Sequence, residues 1–113
     1  MITRANGQSF EVREQMRGGD GKVKLTKLCE PLPNKVRVFS TISLGPGDSI
    51  GFHVHEGESE LFYFAQGKAR VQDNDETFEV NAGDAMATYS GNGHSVKNIG
   101  SDELLLVAVV ILD

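Results

Sequence analysis

Glycine interrupts this chain too often for long helices. Thirteen glycines against three prolines stand among 113 residues. Turn signals recur at Leu44-Gly45-Pro46-Gly47, Asp73-Asn74-Asp75, Asn81-Ala82-Gly83, Gly91-Asn92-Gly93 and Gly100-Ser101-Asp102, each supplying the residues that tolerate left-handed or tight backbone. The stretches between them predict strands over 23–28, 36–44, 49–55, 60–65, 68–73, 76–80, 84–89, 94–99 and 104–112. Many short strands at regular spacing imply an all-β sandwich or barrel. The length supports one domain with a core large enough to stand without disulfides. Residues 1–22 read as an N-terminal arm and 23–113 as the barrel. Within the arm, the stretch 10–16 is compatible with either a short helix or an edge strand.

The run 104–112 is apolar at every position. It is about half the length of a membrane span. As a strand it presents apolar side chains to both faces, so it needs cover on both sides: the core on one, another element or subunit on the other. Charge is unevenly divided. Residues 1–40 carry eight Lys and Arg against four Asp and Glu, whereas residues 41–113 carry three against twelve. An acidic body argues against nucleic acid or an anionic membrane as partner. The basic N-terminal third suits pairing with acidic loops, or guidance of a small anion. The single Cys29 excludes an internal disulfide and reads as a small buried hydrophobe. Residues 1–8 lack the apolar core of a signal peptide, so the expectation is a reducing, cytoplasmic setting.

All three histidines lie in the acidic part, two of them as His53-Val54-His55. On a strand, residues i and i+2 share a face, so both imidazoles project together. Glu60 opens the next apolar strand, in phase with Phe62 and Phe64. A carboxylate on an inward apolar row needs a partner to offset its desolvation. If the turn at 56–59 folds this strand back, Glu60 meets the two imidazoles, and His94, after a glycine-rich turn, can join from a third strand. Three imidazoles and one carboxylate on rigid strands suit a first-row transition metal, with one or two positions left for water, substrate or dioxygen.

These spacings resemble the two sequence motifs of the cupin superfamily. Gly47, His53, His55, Glu60 and Gly67 match the first at every fixed position. Gly83, Gly91, His94 and Asn98 match the second, with Tyr89 where that motif has proline. The resemblance spans nearly half the chain. It implies a conical β-barrel or jelly roll with His53, His55, Glu60 and His94 as ligands to one divalent metal: manganese, iron, nickel, zinc, cobalt or copper. It further implies a homodimer, which would cover the second face of 104–112. Tyr89 removes a rigid turn and is expected to loosen the loop before His94.

The family includes decarboxylases, dioxygenases, sugar isomerases and non-catalytic binders, so the resemblance identifies the fold more closely than the reaction. Oxalate decarboxylases carry an arginine three residues before the first ligand histidine, where this chain has Ile50. Their spacing from the second histidine to the glutamate is also one residue shorter. Both departures count against a literal oxalate decarboxylase. Candidate catalytic groups are Arg37, able to clamp an anion but placed by alternation on the less apolar face; Tyr89, at the mouth; and Glu58, on the turn between ligand strands, where solvation is expected. The loop 17–22 lacks a phosphate-binding pattern and reads as a flexible surface loop. The resulting expectation is a metalloenzyme acting on a small oxygen-rich carboxylate or sugar, of the decarboxylase or dioxygenase kind. The alternatives are a sugar-phosphate isomerase and a non-catalytic binding or sensing protein.

Overall fold

A computed structural model describes residues 1–113. The ten strands are β1 (Phe10–Glu14), β2 (Lys22–Lys27), β3 (Val36–Leu44), β4 (Ser49–Val54), β5 (Glu58–Gln66), β6 (Lys68–Asp73), β7 (Glu76–Asn81), β8 (Ala85–Thr88), β9 (Gly93–Asn98) and β10 (Leu104–Leu112). Each of the nine expected strands is present, its ends within two residues of the expectation. The ambiguous stretch after residue 9 resolves as an edge strand: β1 pairs antiparallel with β2, and its five residues are exposed.

Two antiparallel sheets form a jelly-roll barrel. The larger runs β1-β2-β3-β10-β5-β8 and the smaller β4-β9-β6-β7. Alternation decides what lies between them. On β10, Leu104, Leu106, Ala108 and Val110 are buried while the residues between them are half-buried. They meet Ile42 and Leu44 of β3, Phe62 and Phe64 of β5, Val23 of β2, and Ile50, Ala69, Val71 and Val96 of the smaller sheet. Removing that much apolar surface from water, at about 25 cal/mol per Å², is the main driving force for closing the two sheets.

The motif residues that are not metal-ligand candidates have structural work to do. Asn98 is buried, and its side-chain amide donates to the carbonyls of Leu44 and Asp102, both at 2.8 Å, while its oxygen accepts from the Gly100 N–H at 2.9 Å. It therefore ties β9 of one sheet to β3 of the other. Gly67 joins β5 to β6 with φ of 95°, and a Cβ there would lie 2.7 Å from the Glu103 carbonyl oxygen. Only glycine fits such a backbone approach without strain.

The segment before β2 differs from expectation. The loop 17–22 is docked on β4 rather than free: the Ser49 N–H donates to the Asp20 carbonyl at 2.9 Å, and the Asp20 N–H to Ser49 Oγ at 2.8 Å. No helix is long and apolar enough to cross a membrane.

Candidate metal centre

The sheets bring the three histidines and Glu60 to one end of the core. Pairing of β4 with β9 sets His53 directly opposite His94, after a register shift between Ile50 and His53. This bulge changes the inward phase of β4, so Ile50, His53 and His55 all turn toward the interior although a strict period of two would separate them. Glu60 leads the inward row of β5, followed by Phe62 and Phe64. The ring of Phe62 stacks on His94 with centroids 4.9 Å apart and planes at 13°. His55, Glu60 and His94 are buried, and His53 is half-buried at the cavity.

One donor atom from each of the four lies within 4.8 Å of the other three. His94 Nε2 is 3.1 Å from His55 Nε2 and 3.2 Å from His53 Nε2. Glu60 Oε1 is 3.0 Å from His55 Nε2 and 3.1 Å from His94 Nε2. The opposite ring nitrogens explain the convergence. His53 Nδ1 donates to the Gly51 carbonyl at 2.8 Å, and His55 Nδ1 donates to Glu58 at 2.7 Å. His94 Nδ1 meets Thr88 Oγ1 at 2.7 Å. A carbonyl can only accept, and so can an ionised carboxylate, so those two partners fix the Nδ1–H tautomer and leave Nε2 as a lone pair. Thr88 can accept from His94 in the same sense.

Lone pairs that face one another at such range repel unless a cation lies among them, so the donor set fits a metal.

Around this centre lies a cavity of about 380 Å³, reached between β1–β3 and the histidines and walled by Met16, Leu25, Phe39 and Ile42. Arg37 reaches this cavity and forms a two-pronged pair with Glu58, Nε to Oε1 at 2.9 Å and Nη2 to Oε2 at 2.7 Å. Glu58 thus binds Arg37 on one side and His55 on the other, and its side chain is only 14% exposed. The hydrogen bond from Arg37, aided by the one from His55, holds its carboxyl down at about 2. The same contact raises the Arg37 guanidinium further above its ordinary value. Burial lowers the His53 imidazole, against the Gly51 hydrogen bond, and the neighbouring His94, His55 and Arg17 lower it further.

The structure corrects several local expectations. Glu58 is not a solvated turn residue but begins β5 two positions before Glu60, on the same face; that shared phase was its one sequence signal. Tyr89 is 64% exposed and absent from the cavity lining. Its turn is not loose: the Asn92 N–H donates to the Tyr89 carbonyl at 3.0 Å, the Gly91 N–H to His55 at 2.7 Å and the His55 N–H to Asn92 at 3.0 Å. These bonds supply the rigidity that proline would have given. Cys29 is partly exposed at the cavity rather than buried. Ile50 is in the core at 3% exposure, so no charge reaches the site from that position.

A cupin domain model matches residues 40–110. This chain is a cupin. It is 40% identical to the oxalate-binding protein of Thermotoga maritima, over 99% of this chain and 94% of that one. A crystal structure from the same organism, described as a predicted oxalate decarboxylase, superposes with a TM-score of 0.92 at 38% identity, covering 100% of both chains. Similarity to the oxalate decarboxylase OxdC of Bacillus subtilis is weaker: 26% identity over 86% of this cupin, which spans 26% of that longer protein. The four-residue cluster of this cupin can hold a metal ion.

Two outcomes follow for metal binding. Glu58→Gln should keep the fold but weaken metal affinity by about 10- to 100-fold, because the partner that orients His55 is lost. Metal titration with circular dichroism checks both, and unchanged affinity would remove Glu58 from that role. Protons should also displace the metal as pH falls through roughly 5 to 6.5, since only neutral imidazoles coordinate. Metal content after dialysis across a pH series measures this, and full retention near pH 4 would exclude histidine ligation.

Proposed function

We propose that this cupin holds one divalent first-row transition metal through His53, His55, Glu60 and His94 and uses it to bind a small carboxylate, with oxalate the first ligand to test. The convergent Nε2 lone pairs carry the metal assignment. The relative named for oxalate binding, similar along nearly its whole length, supports the ligand class. A bound divalent metal supplies a Lewis-acid centre for carboxylate oxygens. The chain's own residues do the rest. Gly51, Glu58 and Thr88 fix the three rings, Phe62 packs the His94 face, and the apolar wall of Met16, Leu25 and Ile42 limits water.

One observation favours binding over turnover. A general acid or base works best with a pKa near the working pH. Glu58, the carboxylate beside the ligand set, is clamped between Arg37 and His55 and held at about 2. Glu11 and Glu30 at the cavity rim are spent on Arg13 at 2.8 Å and Lys27 at 3.5 Å. Arg37 is committed to Glu58 and acts as a positioning residue. These commitments support a binding or sensing role over the expected metalloenzyme, and a sugar-phosphate isomerase has only fold-level likeness behind it.

Calorimetric titration of the metal-loaded protein with oxalate should show one site per chain, lost in the metal-free protein and in His94→Ala, with no formate or carbon dioxide accumulating. Metal-independent binding, or none, overturns the ligand assignment; product formation replaces binding with decarboxylation.

We also propose a homodimer formed through the outer face of the larger sheet. There Val107 and Val109 lie beside Leu61, 41% exposed, and Tyr63, 50% exposed, in a shallow depression lined entirely by apolar residues. Such a patch on a free surface marks an interaction site. Light scattering should give twice the 12.3 kDa chain mass, and Val107→Lys should give monomer; a monomeric parent protein refutes the pairing. A reducing cytoplasm suits the free Cys29.

A further inference from the structure

The basic residues around the cavity are not equivalent. Arg13, Lys27 and Arg37 each have a carboxylate partner. Arg17 lines the same cavity yet takes part in none of the ion pairs. Its charge is nonetheless close enough to His53 to be felt there.

The main chain at Arg17 is fixed by its neighbours. Gln15 and Arg17 both occupy the left-handed region, with φ of 50° and 54°, a conformation that non-glycine residues adopt only when the surroundings impose it. The Gln15 N–H closes the loop onto the Gly21 carbonyl at 2.8 Å, and the Gly18 and Gly19 N–H groups return to Gln15 and Met16, both at 2.9 Å. The segment then lies flush on β4 because two glycines face each other. A Cβ on Gly51 would fall 2.0 Å from the Arg17 carbonyl oxygen, and one on Gly19 2.3 Å from that of Ser49. Gly51 is also the residue whose carbonyl orients His53. One backbone contact thus joins the strand that carries His53 to the main chain from which the Arg17 side chain springs.

We infer that Arg17 is the second anchor of the ligand site: its guanidinium takes the outer oxygens of an anion whose other end sits at the metal centre, so the site selects small dianions over monoanions. This rests on the carboxylate-binding reading above and adds the specificity to it. A guanidinium matches a carboxylate through paired N–H donors, and one with no protein carboxylate to satisfy it is free to do so.

The test compares metal-loaded parent protein, Arg17→Ala, Arg17→Lys and Arg70→Ala by calorimetry with oxalate and with the monoanion glycolate, after metal analysis of each. Arg70 is an exposed cation on β6 outside this cavity. Metal content should be equal in all four. Arg17→Ala should bind oxalate about 10- to 100-fold more weakly while glycolate changes little, Arg17→Lys should recover part of the loss, and Arg70→Ala should match the parent. Unchanged oxalate affinity in Arg17→Ala, or equal loss for both anions, overturns the inference while leaving metal-dependent carboxylate binding intact. A parent protein that binds neither anion overturns both.

Discussion

Everything at the open end of this barrel depends on how three imidazoles dispose of their second nitrogen. Left to themselves, buried rings close to one another would turn to share protons. Here Gly51, Glu58 and Thr88 take the Nδ1 side of each, and the Nε2 atoms have nowhere to point but toward each other and Glu60. The cost of confining four polar groups beside an apolar core is offset only when a cation shares them. The orienting groups come from three places: a β4 glycine, the first residue of β5 and the last residue of β8. The site is therefore a property of both sheets together.

Much of this was legible in the residues. The alternation of Glu60, Phe62 and Phe64 reports one face of a strand directly, and the spacing of His53, His55 and His94 carried the cupin motifs. The period-two rule worked along β5, β6 and β10 because those strands are regular. It misplaces β4, where the bulge after Ile50 changes the phase, and only Gly51, a glycine inside a strand, hints at that shift. Glu58 was misread for a related reason: a glutamate after a glycine turn looks solvated until Arg37, twenty-one residues earlier in the chain, is known to lie across from it. The docking of residues 15–21 was equally hidden. Gly19 and Gly51 signal backbone proximity only once both are placed, and glycine in a loop otherwise suggests freedom.

The charge distribution gains a different meaning from the fold. Part of the basic charge of the N-terminal third is paired locally, as at Glu11–Arg13 and Lys27–Glu30, and exposed pairs of that kind contribute little stability. What distinguishes the region is not its total charge but Arg17, the one cavity-lining cation without a carboxylate partner. The second-motif substitution at Tyr89 shows the same principle in the backbone: rigidity lost from a ring is recovered through hydrogen bonds between Tyr89, Gly91, Asn92 and His55.

The place of β10 has consequences for how the molecule is made. It follows every other strand in chain order yet lies in the middle of the larger sheet, between β3 and β5, which do not pair with one another. While a ribosome is still adding residues before 104, β3 and β5 have no common neighbour, and Phe62, Phe64, Ile42 and Leu44 lack the Leu104, Leu106 and Ala108 side of their core. The barrel must wait for its most apolar segment, and the gap that segment fills spans some sixty residues of chain. Folding of this kind, dominated by distant pairings, is slow, and during the delay the unpaired edges of β3 and β5 are open to foreign strands. An incomplete chain of this protein is thus a better client for a chaperone than a fragment of a helical bundle of equal size.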